Sequence, residues 1–123
     1  NFFANSILVH NCGEIFMDPN NSCRLMHINL ANFVKNPFTD KAVINYDTLA
    51  EDIPHIVEAM DDVLDENLSR HALPEQRHMA ARYRNIGIGI MGLADMFVKL
   101  GIKYGSKESV DVAKNVMKFI FRK

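Results

Sequence analysis

A stripe of apolar side chains between residues 48 and 68 constrains the fold of this chain more than any other feature of its sequence. Its members recur every three or four positions, the period of an α-helix that buries one face: Leu49, Ile53, Val57, Met60, Leu64 and Leu68. Thr48 and Glu51 have the spacing of a capping box at the start of such a helix. Pro54 would remove a hydrogen bond from its interior at a cost of about 3 kcal/mol, so a start at Pro54 is the alternative. The sequence therefore predicts one long amphipathic helix that ends near Leu68.

Short strands and further helices accompany this helix in the predicted fold. Residues 25–34 alternate as a strand does, and His27 within them is predicted to be a hydrogen-bonded core histidine rather than a substrate contact. A second short strand is predicted at 41–46, and a helix or loop at 75–84. Ser106 is the predicted N-cap of the last helix, whose core-facing residues are Val110, Ala113, Met117 and Phe121.

Two motifs have the composition of binding sites, but we interpret both as parts of the fold. An acidic run on the long helix could bind a metal ion but is more typical of a solvated helix face; it consists of Asp61, Asp62, Asp65 and Glu66. The residues Gly87, Gly89 and Gly92 have the spacing of a dinucleotide-binding turn, which requires a buried strand directly before its first glycine. The preceding residues 82–85 are too polar for such a strand. Neither a Cys-x-x-Cys pair nor a His-Glu-x-x-His string occurs, so no metal site is predicted.

The composition limits the classes of function open to a chain of 123 residues. With 48% hydrophobic residues it suits one globular unit or a piece of a larger one, and its net charge of -1 gives no electrostatic reason to bind nucleic acid or a membrane surface. No apolar run approaches the roughly 20 residues that span a bilayer. Two cysteines without a secretory signal predict reduced thiols and a cytoplasmic location. Because the chain starts with Asn1 and ends within a helical pattern, we expect it to be part of a longer protein.

The first eleven residues carry a specific motif. Taken alone, residues 6–9 predict an ordinary edge strand. The string from Asn1 to Asn11, followed by Cys12, resembles the C-terminal splicing motif of inteins. The resemblance implies that the Asn11 side-chain amide attacks its own backbone carbonyl and cleaves the Asn11–Cys12 bond, while His10 transfers the proton. Cys12 would accept the upstream segment as a thioester, and its freed amine would then take over the acyl group.

The residues that follow Cys12 resemble a second family. The segments 12–15, 21–30 and 84–106 are together similar to the large, catalytic subunit of ribonucleotide reductases. In that family the first cysteine belongs to an Asn-Pro-Cys-Gly-Glu loop, whereas here His10 and Asn11 stand before the cysteine. An insert placed directly before the cysteine would produce this departure. The two resemblances therefore explain each other.

The resemblance to the reductases implies a role for each of three residues. Cys12 would hold the transient thiyl radical that removes the 3′ hydrogen of the ribose, and Glu14 would act as the general base on the 3′ hydroxyl. Cys23 would form a disulfide with a cysteine outside this chain while the substrate is reduced. Without the resemblance, both cysteines would be interpreted as small buried hydrophobic residues.

The same resemblance implies a fold and a set of partners. The expected fold is α/β, with the end of an intein and its short strand at 1–11 and a helix-rich fragment of a ten-stranded α/β barrel at 12–123. A barrel strand at 86–90 would lead into a helix that ends at Gly101, and its glycines would allow tight strand-to-helix packing. The radical would come from adenosylcobalamin or from a separate metal-containing subunit, and the electrons from an external dithiol such as thioredoxin. The other expected partners are the ribonucleotide substrate, the remainder of the catalytic chain and a second copy of that chain in a homodimer.

These inferences predict a fragment of a ribonucleotide reductase catalytic chain, an enzyme that makes 2′-deoxyribonucleotides for DNA synthesis, with an intein that splices at Asn11–Cys12. The fragment alone is expected to be inactive, because the second redox cysteine and the phosphate-binding elements of the family are missing from it. Two alternatives stay open. The functional unit is either the self-splicing end of the intein with its attached flank, or a non-catalytic nucleotide-binding or interaction domain.

Overall fold

The computed structural model describes residues 2–4, 7–9 and 15–122. Its strands are β1 Phe2–Ala4, β2 Ile7–Val9, β3 Arg24–Asn29, β4 Val34–Lys35, β5 Val43–Ile44 and β6 Ile86–Met91. Its α-helices are α1 Tyr46–Leu68, α2 Pro74–Tyr83, α3 Leu93–Leu100 and α4 Lys107–Ile120, and a 3-10 helix spans Leu30–Phe33. The strands form three separate pairs: β1 with β2, β3 with β6, and β4 with β5. Among the described residues, no helix is both long enough and apolar enough to cross a membrane.

The parallel pair of β3 and β6 positions the rest of the fold. Arg24 pairs with Ile86 at one end and Asn29 with Met91 at the other. Successive side chains of a strand point to opposite faces, so the pair has two distinct surfaces. One surface carries Ile28, Ile88 and Ile90 into the hydrophobic core, and the other is open. The long connection between the two strands contains β4, β5, α1 and α2, which is the arrangement of a βαβ unit.

The core lies between the covered face of this pair and three helices. Leu49 and Ile53 come from α1, Met96 and Phe97 from α3, and Val116 from α4, and all are at most 4% exposed. Burying a side chain of this size stabilises the fold by about 1.5–3 kcal/mol relative to leaving it in water. The predicted α/β character of the chain is therefore visible in the parallel β3–β6 pair, which has helices packed on one side of it.

Helix α1 begins earlier than either predicted start. Asn45 is its N-cap and accepts a hydrogen bond from the Thr48 main-chain N–H at 3.4 Å, while its own amide donates to the Thr48 hydroxyl at 2.6 Å. The predicted capping box at Thr48 is therefore wrong, because Asn45 already occupies the capping position. Pro54 lies inside the helix, so the alternative start at Pro54 is wrong as well. Of the predicted stripe, Val57 is 40% exposed, and Ile56 packs against the core instead.

The ends of the last two helices agree with the predictions, but the buried face of α4 does not. Helix α3 ends at Gly101, whose φ of 72° is a conformation that favours glycine, as the sequence predicts. Helix α4 has Ser106 as its N-cap, also as predicted, but its buried face is shifted. Val110 is 46% exposed and Phe121 is 83% exposed. The residues of α4 that face the core are Ser109, Val112, Ala113, Val116, Phe119 and Ile120.

The predicted strand at 25–34 is shorter in the structure. Strand β3 ends at Asn29, whose side-chain oxygen accepts a hydrogen bond from the Ala31 main-chain N–H at 3.2 Å and caps the 3-10 helix. The predicted strand at 41–46 reduces to Val43–Ile44, because Asn45 caps α1 directly after it. Residues 74–83 form a helix with Pro74 in its first turn, a position that needs no N–H donor.

The amino-terminal end contains two strands where the sequence predicts one. Strands β1 and β2 pair antiparallel, with Phe2 opposite Val9 and Ala4 opposite Ile7. Only two residues of sequence separate them, a loop length that is common in β-hairpins. The single edge strand predicted at 6–9 is therefore one half of a hairpin.

Candidate functional site

Cys23 is the predicted site residue that the structure describes. It directly precedes β3 and is half-buried, and its thiol is free and lies 3.6 Å from the main-chain oxygen of Arg24, as the donor of a weak hydrogen bond. The other predicted site residues lie outside the described residues; they are His10, Asn11, Cys12 and Glu14.

Cys23 faces the open side of the β3–β6 pair. A Cβ atom built on Gly87 would lie 3.5 Å from the Cys23 sulfur and 2.6 Å from Cδ2 of Leu25, so both side chains lie over this glycine. Leu25 is 57% exposed and Met91, at the far end of β6, is 54% exposed. The open face is thus an accessible apolar surface with a thiol at the end where the two strands begin.

His27 lies on the same face, two residues beyond Leu25. It is exposed, so the prediction of a core histidine is wrong. Its ring lies above Gly89, where a Cβ atom would be 2.7 Å from Cδ2 and 2.9 Å from Nε2 of the imidazole. The reason is alternation: Ile28 takes the covered face, so its neighbour His27 must take the open one.

The glycines of β6 have a different purpose from the one predicted. Gly87 and Gly89 admit side chains of the neighbouring strand, whereas the sequence predicts that they bring the strand close to a helix. Gly92 fulfils that second purpose, because it has a φ of 68° at the start of α3, and a Cβ there would collide with the side-chain oxygen of Asn29. Since Gly87 and Gly89 lie inside a strand rather than in a turn after one, the rejection of a dinucleotide-binding turn agrees with the structure.

The segment that leads from residue 15 to Cys23 is attached to the junction of α2 and β6. The Tyr83 hydroxyl donates a hydrogen bond to the Asp18 carboxylate at 2.6 Å, and the Asn85 amide lies 3.7 Å from the Met17 sulfur. The hydrogen bond to Asp18 and the negative charge of that carboxylate raise the pKa of Tyr83 above 10.0. These contacts border a cavity of about 360 Å³ that Phe16 also lines.

Behind the open face, Arg84 connects the same junction to α1. Its guanidinium donates hydrogen bonds to Asp61 at 2.5 and 3.1 Å and to Asp65 at 2.6 Å. The hydrogen bond from Arg84 lowers the pKa of Asp65, and the two carboxylates raise the pKa of Arg84. The acidic run is exposed, as predicted for a solvated face, but two of its members also hold the start of β6 against α1.

A free, half-buried thiol at the end of an open strand face suits thiol chemistry. A thiol can donate hydrogen, act as a nucleophile after deprotonation, or form a disulfide. Within the part of the chain that the structure describes, Cys23 is the sole cysteine, so disulfide chemistry at this face needs a sulfur from elsewhere. Those residues also contain no group of three or more His, Cys, Asp or Glu side chains with metal-binding geometry.

Comparison with known protein families assigns the chain. The family model for the barrel domain of ribonucleotide reductase matches residues 4–122. The chain belongs to the ribonucleotide reductase barrel-domain family. The match agrees with the predicted resemblance and with a helix-rich fragment of this enzyme.

Several ribonucleotide reductases are similar to the chain. A vitamin B12-dependent ribonucleoside-diphosphate reductase of Thermoplasma acidophilum is 37% identical over 109 residues, which is 89% of this chain and 13% of the relative. The enzyme of the same name from Mycobacterium tuberculosis is 39% identical over 109 residues, 89% of this chain and 15% of the relative. A ribonucleoside-diphosphate reductase subunit alpha of Chlamydia pneumoniae is 29% identical over 113 residues, 89% of this chain and 10% of the relative. The chain thus spans 10–15% of the length of these relatives.

Proposed function

We propose that this chain is part of the catalytic subunit of a ribonucleotide reductase, which reduces ribonucleotides to 2′-deoxyribonucleotides. The observation that carries the proposal is the position of the Cys23 thiol on the open face of β3 and β6, above Gly87. A thiol that has to reduce a substrate must be accessible, and the neighbouring residues of this face contribute either no side chain or exposed ones. The family assignment supports the same reaction. The open face would then form part of the inner wall of the proposed ten-stranded barrel.

In the proposed reaction, each of three residues carries out a different step. The Cys12 thiyl radical takes the 3′ hydrogen from the ribose, and Glu14 accepts the proton of the 3′ hydroxyl. The 2′ hydroxyl then takes up a proton from the pair of thiols named next and leaves as water. Cys23 and a partner cysteine from the remainder of the protein supply two electrons and become a disulfide. The Cys12 thiol finally returns its hydrogen to the 3′ carbon and regains the radical.

The radical source and the reductant belong to the proposal as well. Adenosylcobalamin is favoured over a separate metal-containing subunit, because the relatives from Thermoplasma acidophilum and Mycobacterium tuberculosis are named vitamin B12-dependent. Adenosylcobalamin supplies the radical when it is bound. The described residues contain no group of three or more His, Cys, Asp or Glu side chains that could hold a metal ion, and none of them is assigned to the cofactor. An external dithiol such as thioredoxin would regenerate the Cys23 thiol, in a cytoplasmic homodimer of the full-length chain.

The test uses the full-length enzyme with the insert deleted and substrate tritiated at the 3′ position, under single turnover. Cys12→Ser should release no tritium, because an O–H bond is too strong to replace the thiyl radical. Cys23→Ser should still release tritium but form no deoxynucleotide, because the dithiol is incomplete. Glu14→Gln should retain substrate binding and slow the chemical step. If both cysteine variants turn over substrate at the wild-type rate, the proposed roles are wrong. That result would favour the alternative of a non-catalytic nucleotide-binding or interaction domain.

A second function, protein splicing at Asn11–Cys12, is supported by the hairpin of β1 and β2. The hairpin ends at Val9, one residue before His10, so a paired backbone leads directly to the proposed splice junction. The pairing fixes the strand that precedes the proposed attack of the Asn11 amide on its own carbonyl. Cleavage would release a product that begins with Cys12, the residue proposed to carry the radical.

A further inference from the structure

A second polar site lies on the other side of β3 from Cys23. It is a cavity of about 290 Å³ where the beginning of β3 meets the end of α1, lined by Ser22, Arg24, Asn67, Arg70 and His71. Because side chains alternate along a strand, Arg24 points away from the face that carries Cys23 and Leu25. The proposed reductase function does not use any of these residues.

Arg24 is the centre of this cavity and has two neutral partners. Its guanidinium donates to the Ser22 hydroxyl oxygen at 2.8 Å and to Nε2 of His71 at 2.9 Å. An arginine donates only, so His71 must accept through Nε2 and carry its proton on Nδ1. These contacts use two of the five N–H groups of a guanidinium. Within the described residues, Arg24 has no carboxylate partner, although it is half-buried.

The other groups around the cavity add donors and no negative charge. Arg70 has an ion pair with Glu66, but Glu66 does not line the cavity. The Ser22 hydroxyl accepts from Arg24, so its own hydrogen can point to a ligand. The lining therefore combines two guanidinium groups with hydroxyl and imidazole donors, in a chain whose net charge is -1.

We propose that this cavity binds the phosphate group of a small molecule, held by Arg24, Ser22 and His71. The guanidinium offers paired N–H donors with the geometry of a phosphate, and charge-assisted bonds of this kind are about twice as strong as neutral ones. Arg24 is also pre-oriented by its contacts with Ser22 and His71, so little side-chain entropy is lost on binding.

The ligand extends beyond its phosphate group in this proposal. A second cavity of about 440 Å³ shares His71 with the first and is lined partly by apolar side chains, among them Ala72, Pro74 and Ala81. It also contains His78. A phosphate monoester with an organic part, such as a nucleoside monophosphate, would fill both cavities, whereas inorganic phosphate would fill the first one.

Histidine ring resonances of the whole chain, followed by NMR, test the proposal without any substitution. Inorganic phosphate should shift the ring resonances of His71, while His55, which is exposed on α1, serves as the internal control. Adenosine monophosphate should shift both His71 and His78, and adenosine alone should shift neither. If His71 does not respond to either phosphate compound, or if adenosine binds as well as its monophosphate, the proposal is wrong.

Two variants then test the role of Arg24. Arg24→Gln keeps a hydrogen-bond donor but removes the charge, and it should weaken phosphate binding by about tenfold or more. Arg122→Gln removes an exposed charge that lines neither cavity, and it should leave binding unchanged. Higher salt concentration should weaken binding to the wild-type protein, because a half-buried charge pair is still screened in part. A folded Arg24→Gln protein that binds phosphate like wild type would overturn the assignment.

Discussion

The imidazole ring of His27 lies where a side chain on Gly89 would begin, because a Cβ atom on that glycine would be only 2.7 Å from Cδ2 of the ring. The two residues are directly opposite each other in the parallel register of β3 and β6. A glycine inside a strand costs about 0.5–1 kcal/mol relative to alanine. Gly89 therefore lowers the stability of the strand slightly, but it leaves the space that the His27 ring occupies.

The first prediction is that Gly89→Ala depends on His27. In a His27→Ala background, Gly89→Ala should stabilise the fold by about 0.5–1 kcal/mol, because the strand loses a flexible residue and nothing collides. With His27 present, the ring must leave its position, and the gain should be cancelled or reversed. Urea unfolding of the four proteins gives the coupling energy, which we expect to be about 1 kcal/mol. A coupling energy near zero would show that the ring moves without cost.

The second prediction concerns Arg84, which has a φ of 47°. Arg84→Ala removes the hydrogen bonds to Asp61 and Asp65 and keeps a Cβ in a conformation that costs roughly 1–2 kcal/mol. Arg84→Gly removes the same bonds but relieves this strain. Arg84→Gly should therefore be more stable than Arg84→Ala by about 1 kcal/mol in thermal or urea unfolding. Equal stabilities would mean that the backbone of residue 84 changes conformation in both variants.

The third prediction concerns the acid side of the stability profile. The pKa of Asp65 is lowered from 3.8 by Arg84, so its contribution to stability is complete above 3.8 and is lost as the pH falls through the lowered value. Asp65→Asn should flatten the dependence of the unfolding free energy on pH in this acidic range. Asp62→Asn, on the same helix, is the matched control and should leave the profile close to wild type.

The fourth prediction is that Asp18 controls the titration of Tyr83. The raised pKa means that the hydrogen-bonded, neutral tyrosine stabilises the fold below pH 10.0, and that this contribution is lost as the pH rises through the higher value. Asp18→Asn removes the negative charge and should lower the pKa of Tyr83. Ring resonances of Tyr83 followed against pH measure the change, and Tyr46, whose pKa is raised by burial alone, should not respond.

The fifth prediction concerns the proposed splice junction in the full precursor. Asn11→Ala should block release of residues 12–123, because alanine has no amide to cyclise. His10→Ala should slow release, since water partly replaces the lost proton donor. Cys12→Ser should impair ligation more than cleavage, because the hydroxyl is the poorer nucleophile. Gel electrophoresis and intact mass follow the products, and normal splicing of the Asn11→Ala precursor would refute the intein assignment.

Features that depend on local sequence could be predicted, and those that depend on competition between neighbours could not. The apolar face of α3 and its end at Gly101 follow from spacing and from the backbone freedom of glycine. The start of α1 does not, because Asn45 and Thr48 are both good caps and the hydroxyl of Thr48 is engaged by Asn45. On α4, apolar residues occupy so much of the circumference that two stripes fit the helical period, and packing into the core, where Phe119 contacts Tyr46 of α1, selects one of them.

At the candidate site, too, some features follow from the sequence and others depend on tertiary packing. The proposed roles of Cys12, Glu14 and Cys23 rest on similarity to a family, and the position of Cys23 on an open face is compatible with its role. The exposure of His27 depends on which face of β3 is covered, and alternation alone does not decide that. The pair of Arg24 and His71 had no sequence signal, because the two residues are 47 positions apart and meet only when α1 folds against β3.

The parallel pairing of β3 with β6 also has a consequence for synthesis of the protein on the ribosome. β3 is made early, but the strand that satisfies its backbone follows only after α1 and α2. A nascent chain therefore carries an unpaired strand with apolar residues while two helices are still being translated. A helix closes its hydrogen bonds within its own segment, whereas an unpaired strand can associate with other chains. A ribosome that stalled before residue 86 would therefore hold a chain in which β3 cannot pair with β6.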